Sequence, residues 1–407
     1  MMKKATLSFA SVSVCLALSG PALADMVIDW NREAVAAALA ARQSPSMAAR
    51  NIAIVHLAIF EAVNSLEPRY TPYRRRLPTD PTTSPQAAAA AAAHHALVQL
   101  IPEQRKQLDS ALQASLAELP DGAARTAGLE LGKQAAEAIL TERSDDGAAA
   151  PNTYRPYTTA GRYVPTTLPQ GHTWGVVRPF AMKSGNQFRP PVPYALDSAQ
   201  WAKDFNEIKT MGAKTGSGRT PLQSDIARFW ELTGPATYNP VARQVAEAKG
   251  LDLLDNARLF ALFSMATADA GIAVFDAKYA YNFWRPETAI RCADLDGNDA
   301  TEMDAAWEPF VTSPMHPEYP CAHCTFQGSA AGALRALYGD AVPEFTLTST
   351  AAPGVTRRFD RLSAYVAEVV DARVYDGVHY RTSGDTGAIL GRNVGEYVVQ
   401  NYLKPAM

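Results

Sequence analysis

The chain has 407 residues, 47% of them hydrophobic, and a net charge of −3. That length supports a large core, in one big domain or two packed halves. The near-balanced charge leaves no basic footprint, which argues against nucleic acid as a partner.

In chain order, Met1 to Lys4 gives a short basic start, residues 5–20 are mostly apolar or small, and Ala22-Leu23-Ala24 offers a small-x-small cleavage site before Asp25. This pattern predicts a signal peptide over residues 1–24 and a periplasmic or secreted mature chain. No later stretch reads as long and apolar enough to span a bilayer. Of the four cysteines, Cys15 would leave with the leader, so Cys292, Cys321 and Cys324 remain. An oxidising compartment would bridge one pair, and the spacing leaves the three pairings open.

Helical periodicity dominates the rest and strand signals are sparse. Apolar residues at three- and four-residue steps predict a helix over 31–64, ended by Pro68 and Pro72. An alanine-rich helix is expected over 86–116 with an interruption near Pro102, and another over 121–143. Residues 144–193 lose the period and gain proline, glycine, tyrosine and threonine, as in a long ordered loop or a cover over a site. Helices resume over 198–211 and 220–232. The next starts near Asn239 or after Gly250 and reaches about Phe283. Further helices are expected over 323–337, 357–373 and 385–402, giving an all-α chain whose chemistry lies after residue 270. A break at residue 198 divides a 25–197 helical region with its proline-rich loop from a 198–407 helical bundle.

Three short segments in that second region supply two arginines, a lysine and two histidines. Lys278 and Arg285 are two helical turns apart, so both can face one way, and Pro286 puts Arg285 at a helix end or kink. Pro320-Cys321-Ala322-His323 precedes an apolar-periodic run, placing it at a helix N-terminus where free amides favour an anion. Arg373 and His379 would close the site, with Gly377 allowing a sharp turn between them. Arginine forks and a lysine suit a tetrahedral oxyanion; His323 could move a proton, and His379 could bond the central atom.

The segments Lys278-YAYNFW-Arg285-Pro286, Pro320-Cys321-Ala322-His323 and Ala372-Arg373-VYDGV-His379 resemble the three motifs of the vanadium haloperoxidase and type 2 phosphatidic acid phosphatase superfamily. Flanking NFWRPETAIR, HPEYP, DGVHYR and upstream AIFEAVNSLEPRYTPY are similar to its soluble haloperoxidase branch. The resemblance implies two packed helical bundles with the oxyanion site in the C-terminal one. It implies vanadate, or phosphate in the same site, held by Lys278, Arg285, Arg373 and the amides of Cys321 and Ala322. It also implies His379 as the metal ligand and His323 as the acid–base residue. His316 would lie near the halide, as a histidine associated with bromide rather than chloride.

Cys321 and Ala322 stand where the family has serine and glycine, and Ala372 where it has serine. A thiolate at Cys321 would repel an oxyanion and be oxidised by peroxide. Either Cys321 is held in a disulfide, or peroxidation is not the activity. The expected function is therefore peroxide-driven halide oxidation. The alternatives are a periplasmic acid phosphatase acting on a phosphate ester through a phosphohistidine at His379, or a non-catalytic oxyanion-binding relic.

Overall fold

The structure, a computed structural model, describes residues 25–406; the signal peptide expected over 1–24 lies outside it. Among the described residues the architecture is helical with one β-hairpin, matching the all-α expectation.

The first predicted helix is two. Asp25 caps α1 (Met26–Ala40) by accepting the amides of Val27 and Ile28, and Ser44 caps α2 (Pro45–Leu66). Arg42, with φ of 52°, turns the chain between them, and Ser44-Pro45 supplies the N-cap and N1 pair that starts α2. The alanine-rich segment forms α3 (Pro85–Leu100), a single 3₁₀ turn at Pro102–Gln104, and α4 (Arg105–Ala117). α5 (Ala123–Arg143) lies along α3, where Gly128 and Gly132 meet the backbone of residues 84–92. Residues 144–198 are ordered loop, pinned by Asp269, whose carboxylate accepts the amides of Phe180, Ala181 and Met182 at 2.7–2.8 Å.

α6 (Ala199–Met211) and α7 (Pro221–Phe229) follow, the latter with a Thr220/Gln223 capping box. The helix left open between Asn239 and Gly250 resolves into α8 (Pro235–Lys249) and α9 (Leu253–Tyr281), separated by Gly250 at φ 60°. α9 packs against α2 on one side and on later helices on the other. Its residues Leu254 to Lys278 are almost all buried. Both α2 and α9 are long and apolar enough to cross a membrane, contrary to the sequence expectation, but about 94% of each apolar window is buried inside the protein. Here the apolar surface faces other helices.

Beyond α9 come α10 (Pro286–Arg291) and α11 (Ala322–Tyr338). β1 (Ala341–Ser349) and β2 (Ala352–Arg361) then form an antiparallel hairpin with Phe345 opposite Phe359. The helix expected over 357–373 therefore starts five residues late, as α12 (Leu362–Tyr375). Val342, Phe345 and Leu347 bury one edge of β1 against the core, and Arg357 reaches Glu368 on α12. α13 (Arg381–Asn401) lies on α11, with Gly387, Gly391 and Gly395 against its backbone. A large apolar core runs through α2, α3, α9, α11 and α13. A smaller one, with Trp201, Phe205, Trp284, Trp307 and Tyr380, sits under α6 and α10. The candidate site lies where these two cores meet.

Candidate active site

Lys278 occupies the last turn of α9, but Arg285 is not on that helix. Asn282, at φ 51°, ends α9, and Arg285 is the N-cap of α10. The one-helix reading of the seven-residue spacing is thus corrected, although both side chains still converge. Lys278 Nζ donates to the carbonyls of Pro317 and Glu318 at 2.9 and 2.8 Å. Arg285 donates through Nε to His316 O at 2.9 Å, through Nη1 to Val378 O at 2.8 Å, and through Nη2 to His316 Nδ1 at 2.9 Å. The same Nη1 lies 3.2 Å from His379 Nε2. The short segment 316–318 is therefore the hub that ties the first and third motifs together.

The turn between Arg373 and His379 forms as expected. Gly377 has φ of 79° and abuts the backbone of Gly212 and Pro309, so a side chain would fit neither its conformation nor its space. Arg373, in the last turn of α12, donates Nη1 to Trp230 O at 3.0 Å and pairs with Asp376, one helical turn on. His323, in the first turn of α11, meets the adjoining carbonyl, Glu231 O, at 3.2 Å from its Nε2. Arg373 and His323 are thus fixed by consecutive residues at the end of α7.

Cys321 is bonded to Cys324, with Cα atoms 5.4 Å apart and both residues fully buried, while Cys292 is free. This closes the question the sequence left open, and it removes the thiolate that would have faced an anion. Cys321 is the N-cap of α11 and Ala322 its first residue, in ordinary helical conformation, so glycine is not required there. The amides of Ala322 and His323 belong to the first turn, which has no intrahelical acceptor for them.

Proton positions follow from partners that can only donate or only accept. Arginine never accepts, so His379 Nε2 beside Arg285 must offer a lone pair, and its proton sits on Nδ1. There Glu318 Oε1 accepts it at 2.7 Å. A carbonyl never donates, so His323 carries its proton on Nε2 and leaves Nδ1 bare. His316 Nδ1 lies 2.9 Å from Arg285 Nη2, a donor, and 3.2 Å from Pro317 O, an acceptor, so its partners do not select one tautomer. Burial, reinforced by Arg285, Lys278 or Arg373, holds all three histidines well below the usual imidazole range, so they are neutral at pH 7. Burial also lowers Lys278, and brings Arg285 down to about 10, still charged. Burial pushes Glu318 and Asp376 up to about 7 each, against the pull of the nearby cations.

Three buried cations, Lys278, Arg285 and Arg373, face two buried carboxylates, Glu318 and Asp376, and only Arg373 makes a direct ion pair with either. Arg373 Nε is buried without a hydrogen-bond partner. Excess buried positive charge with spare donors fits an oxyanion such as vanadate or phosphate. Sequence reasoning missed Glu318 and the carbonyls of Trp230 and Glu231. It missed Asp376 as well, although the three-residue step from Arg373 at the end of a helix is a signal that could have found it.

Around the cradle, His316 lies edge-on to Phe275 at 5.3 Å, and the loop residue His172 packs on Tyr279 at 5.1 Å. Gln170 N donates to Met315 O at 2.7 Å. The 144–198 loop therefore covers this side. A surface groove of about 450 Å³, lined by Lys214, Arg228, Glu231, Phe310 and Ser313 among others, approaches the other side at Glu231.

Residues 258–406 match the family described as the VCPO second helical-bundle domain. A vanadium chloroperoxidase from Curvularia inaequalis is 26% identical over a match covering 58% of this chain and 47% of that protein, so the chain spans about half the length of this curated relative. A solved structure described as the first bacterial vanadium-dependent iodoperoxidase superposes with a TM-score of 0.79 at 27% identity, covering 94% of this chain and 97% of that one. A holo-type bacterial vanadium-dependent chloroperoxidase shares the fold, with a TM-score of 0.73 at 17% identity over 88% of this chain and 91% of the other.

Proposed function

The chain belongs to the vanadium haloperoxidase-like family, and from that premise we propose that it is a haloperoxidase that oxidises halide with peroxide. The observation that carries the reading is the neutral His379, whose Nε2 lone pair stands among three buried cations. Lys278, Arg285 and Arg373 would hold the oxygens of vanadate, with the Ala322 and His323 amides adding donors, and His379 Nε2 would ligate vanadium. Bound vanadate supplies the Lewis acid that activates peroxide toward halide.

His323 Nδ1 would take a proton from incoming peroxide and return it to the departing oxygen. The ring is kept neutral for the first step by burial and by Arg373. Its Nε2–H stays on Glu231 O, which fixes the ring plane through the transfer. The covering loop limits water on the His316 side. Cys321, closed in its disulfide, offers no thiolate to peroxide.

His316 beside Phe275 supports a preference for bromide over chloride, and the 27%-identical structure described as an iodoperoxidase supports iodide as well. We place the mature enzyme in the periplasm or outside the cell; the Cys321–Cys324 bond supports an oxidising compartment. Peroxide and halide, both small, would be its reaction partners. A second reading, phosphate ester hydrolysis, is favoured by the same Nε2 lone pair, which could attack phosphorus.

The test is halide oxidation by the purified mature chain with bromide, iodide or chloride and peroxide, before and after vanadate loading. Vanadate-dependent bromination lost in His379→Ala is the expected result. Vanadate binding without any halide oxidation, alongside turnover of a phosphate monoester, would overturn it in favour of hydrolysis.

A further inference from the structure

We propose that Glu318 is the positioning residue for His379: its carboxylate selects the Nδ1–H tautomer and aims Nε2 at the oxyanion. This rests on the functional reading above for the identity of the anion, but its geometric basis is independent of it.

Glu318 is completely buried, and so is His379. A buried carboxylate with no arginine or lysine ion pair is costly to keep, and this one is not spent on any helix cap or loop closure. Instead Oε1 accepts the His379 Nδ1–H at 2.7 Å and the Tyr380 amide at 3.2 Å, gripping both the ring and the backbone just after it.

The backbone that carries the carboxylate is itself held. Glu318 N donates to Phe283 O at 2.9 Å, and Glu318 O accepts Lys278 Nζ at 2.8 Å. Pro317 and Pro320 restrict the backbone around it. Residues from α9, the α9–α10 connection and the start of α13 thus converge on one glutamate, and the output of that convergence is the orientation of a single imidazole.

The opposite edge of the ring completes the argument. Arg285 Nη1 is 3.2 Å from Nε2 and can only donate, so a proton on Nε2 would set two donors against each other. Glu318 and Arg285 therefore specify the same tautomer from opposite sides, Glu318 by accepting and Arg285 by donating. When an anion draws Arg285 toward its oxygens, that second constraint weakens. Glu318 would then be the remaining group that keeps the proton on Nδ1. A carboxylate behind a ligating histidine also makes the ligating nitrogen a better donor of its lone pair.

The experiment reads the tautomer and the anion affinity separately. Protein labelled with ¹⁵N-histidine, the His379 signals assigned by their loss in His379→Gln, is examined by long-range ¹H–¹⁵N correlation without added anion. Wild type should show His379 protonated on Nδ1; protonation on Nε2 would overturn the proposal outright, whatever any variant does. In Glu318→Ala the signals should become those of a mixed tautomer population, and vanadate affinity, followed by ⁵¹V NMR titration, should fall about 10- to 100-fold. Glu318→Gln keeps an amide oxygen able to accept from Nδ1–H, so it should retain the tautomer and recover most of the affinity. A folded Glu318→Ala protein with wild-type tautomer and affinity would overturn the proposal. Should Glu318→Ala not fold, Glu318→Gln and wild type still decide: loss of the Nδ1–H signature in the amide variant would mean that hydrogen-bond acceptance is not what selects it. Wild type that binds no vanadate would sink the functional reading, leaving the tautomer result to stand by itself.

Discussion

Two helix pairs in this protein are built alike and used differently. In the amino-terminal half α3 and α5 close up because Gly128 and Gly132 let backbone meet the alanine-rich face of α3. In the carboxy-terminal half Gly387, Gly391 and Gly395 let α13 press on α11 in the same manner. The first contact leads, at the end of α5, to a buried cluster in which Asp146 meets both Arg50 and Arg143. The second ends at Cys321, where α11 begins and the cradle of Lys278, Arg285, Arg373 and His379 opens. Close packing of small residues is a general way to join helices; it becomes functional when one helix must present its N-terminus to an anion at fixed distance.

The comparison breaks most visibly by adding one methyl to each pair. At Gly132 it would strike Ala88 O and Ala92 N; at Gly391, Thr325 O and Ser329 N. Backbone atoms cannot swing aside as side chains do, so either alanine substitution should cost about 3 kcal/mol by chemical denaturation. Only Gly391→Ala should also weaken vanadate binding in the folded fraction, because it shifts α11. Equal losses of affinity in both variants would show that the two halves are not separable in this way.

A second difference is that Lys278 and Arg285 of the cradle make no direct ion pair, whereas Arg50 and Arg143 both meet Asp146. An oxyanion that binds only the folded state at 100 times its Kd should stabilise the protein by about 2.7 kcal/mol. Thermal unfolding with and without orthovanadate measures this, and the gain should largely vanish in His379→Ala.

The motif residues were legible because each motif is local: Lys278 with Arg285, Cys321 to His323, and Arg373 with His379 lie within a few residues of one another. What a spacing implies about geometry was less secure. Lys278 and Arg285 were read onto one helix, and Asn282 in a left-handed conformation ends it between them. Glu318 was not legible as a site residue, because its partner lies 61 residues away and only the fold brings them together. The hairpin was missed for a related reason. Val342, Phe345 and Leu347 form a short, uneven alternation, and their burial is supplied by α8 and α12.

Buried histidines sharpen the contrast further. His56 on α2 is fully buried, stacks on Phe260 at 5.2 Å, and takes Asn31 Nδ2–H on its Nε2 at 2.9 Å. It is a packing histidine with no motif around it. Burial, with a contribution from Arg243, pulls it from 6.5 down to about 3. Because the folded value lies below the unfolded one, its contribution to stability is complete above pH 6.5. That contribution is lost progressively as pH falls from 6.5 toward 3. At pH 5 the loss amounts to about 2 kcal/mol. Urea denaturation at pH 7 and pH 5 should show wild type losing about that much more than His56→Gln, while both keep their vanadate affinity at pH 7.

The smallest expected effect tests the cysteines. Cys292 ends α10, is partly buried and has no partner sulfur among the described residues, whereas Cys321 and Cys324 are paired beneath the cradle. Replacing Cys292 by serine should change stability by no more than about 0.5 kcal/mol and leave anion binding intact. In protein beginning at Asp25, a thiol reagent under denaturing, non-reducing conditions should titrate one thiol, and none in Cys292→Ser. Three thiols in wild type would mean that the pair is open. The N-cap of α11 would then carry a sulfur prone to ionise, because the helix dipole favours its anion. That thiolate would compete for the charge the cradle reserves for its ligand and would be the first group peroxide attacks. The closed disulfide is therefore a condition of the proposed chemistry as well as of the fold, and the thiol count tests both.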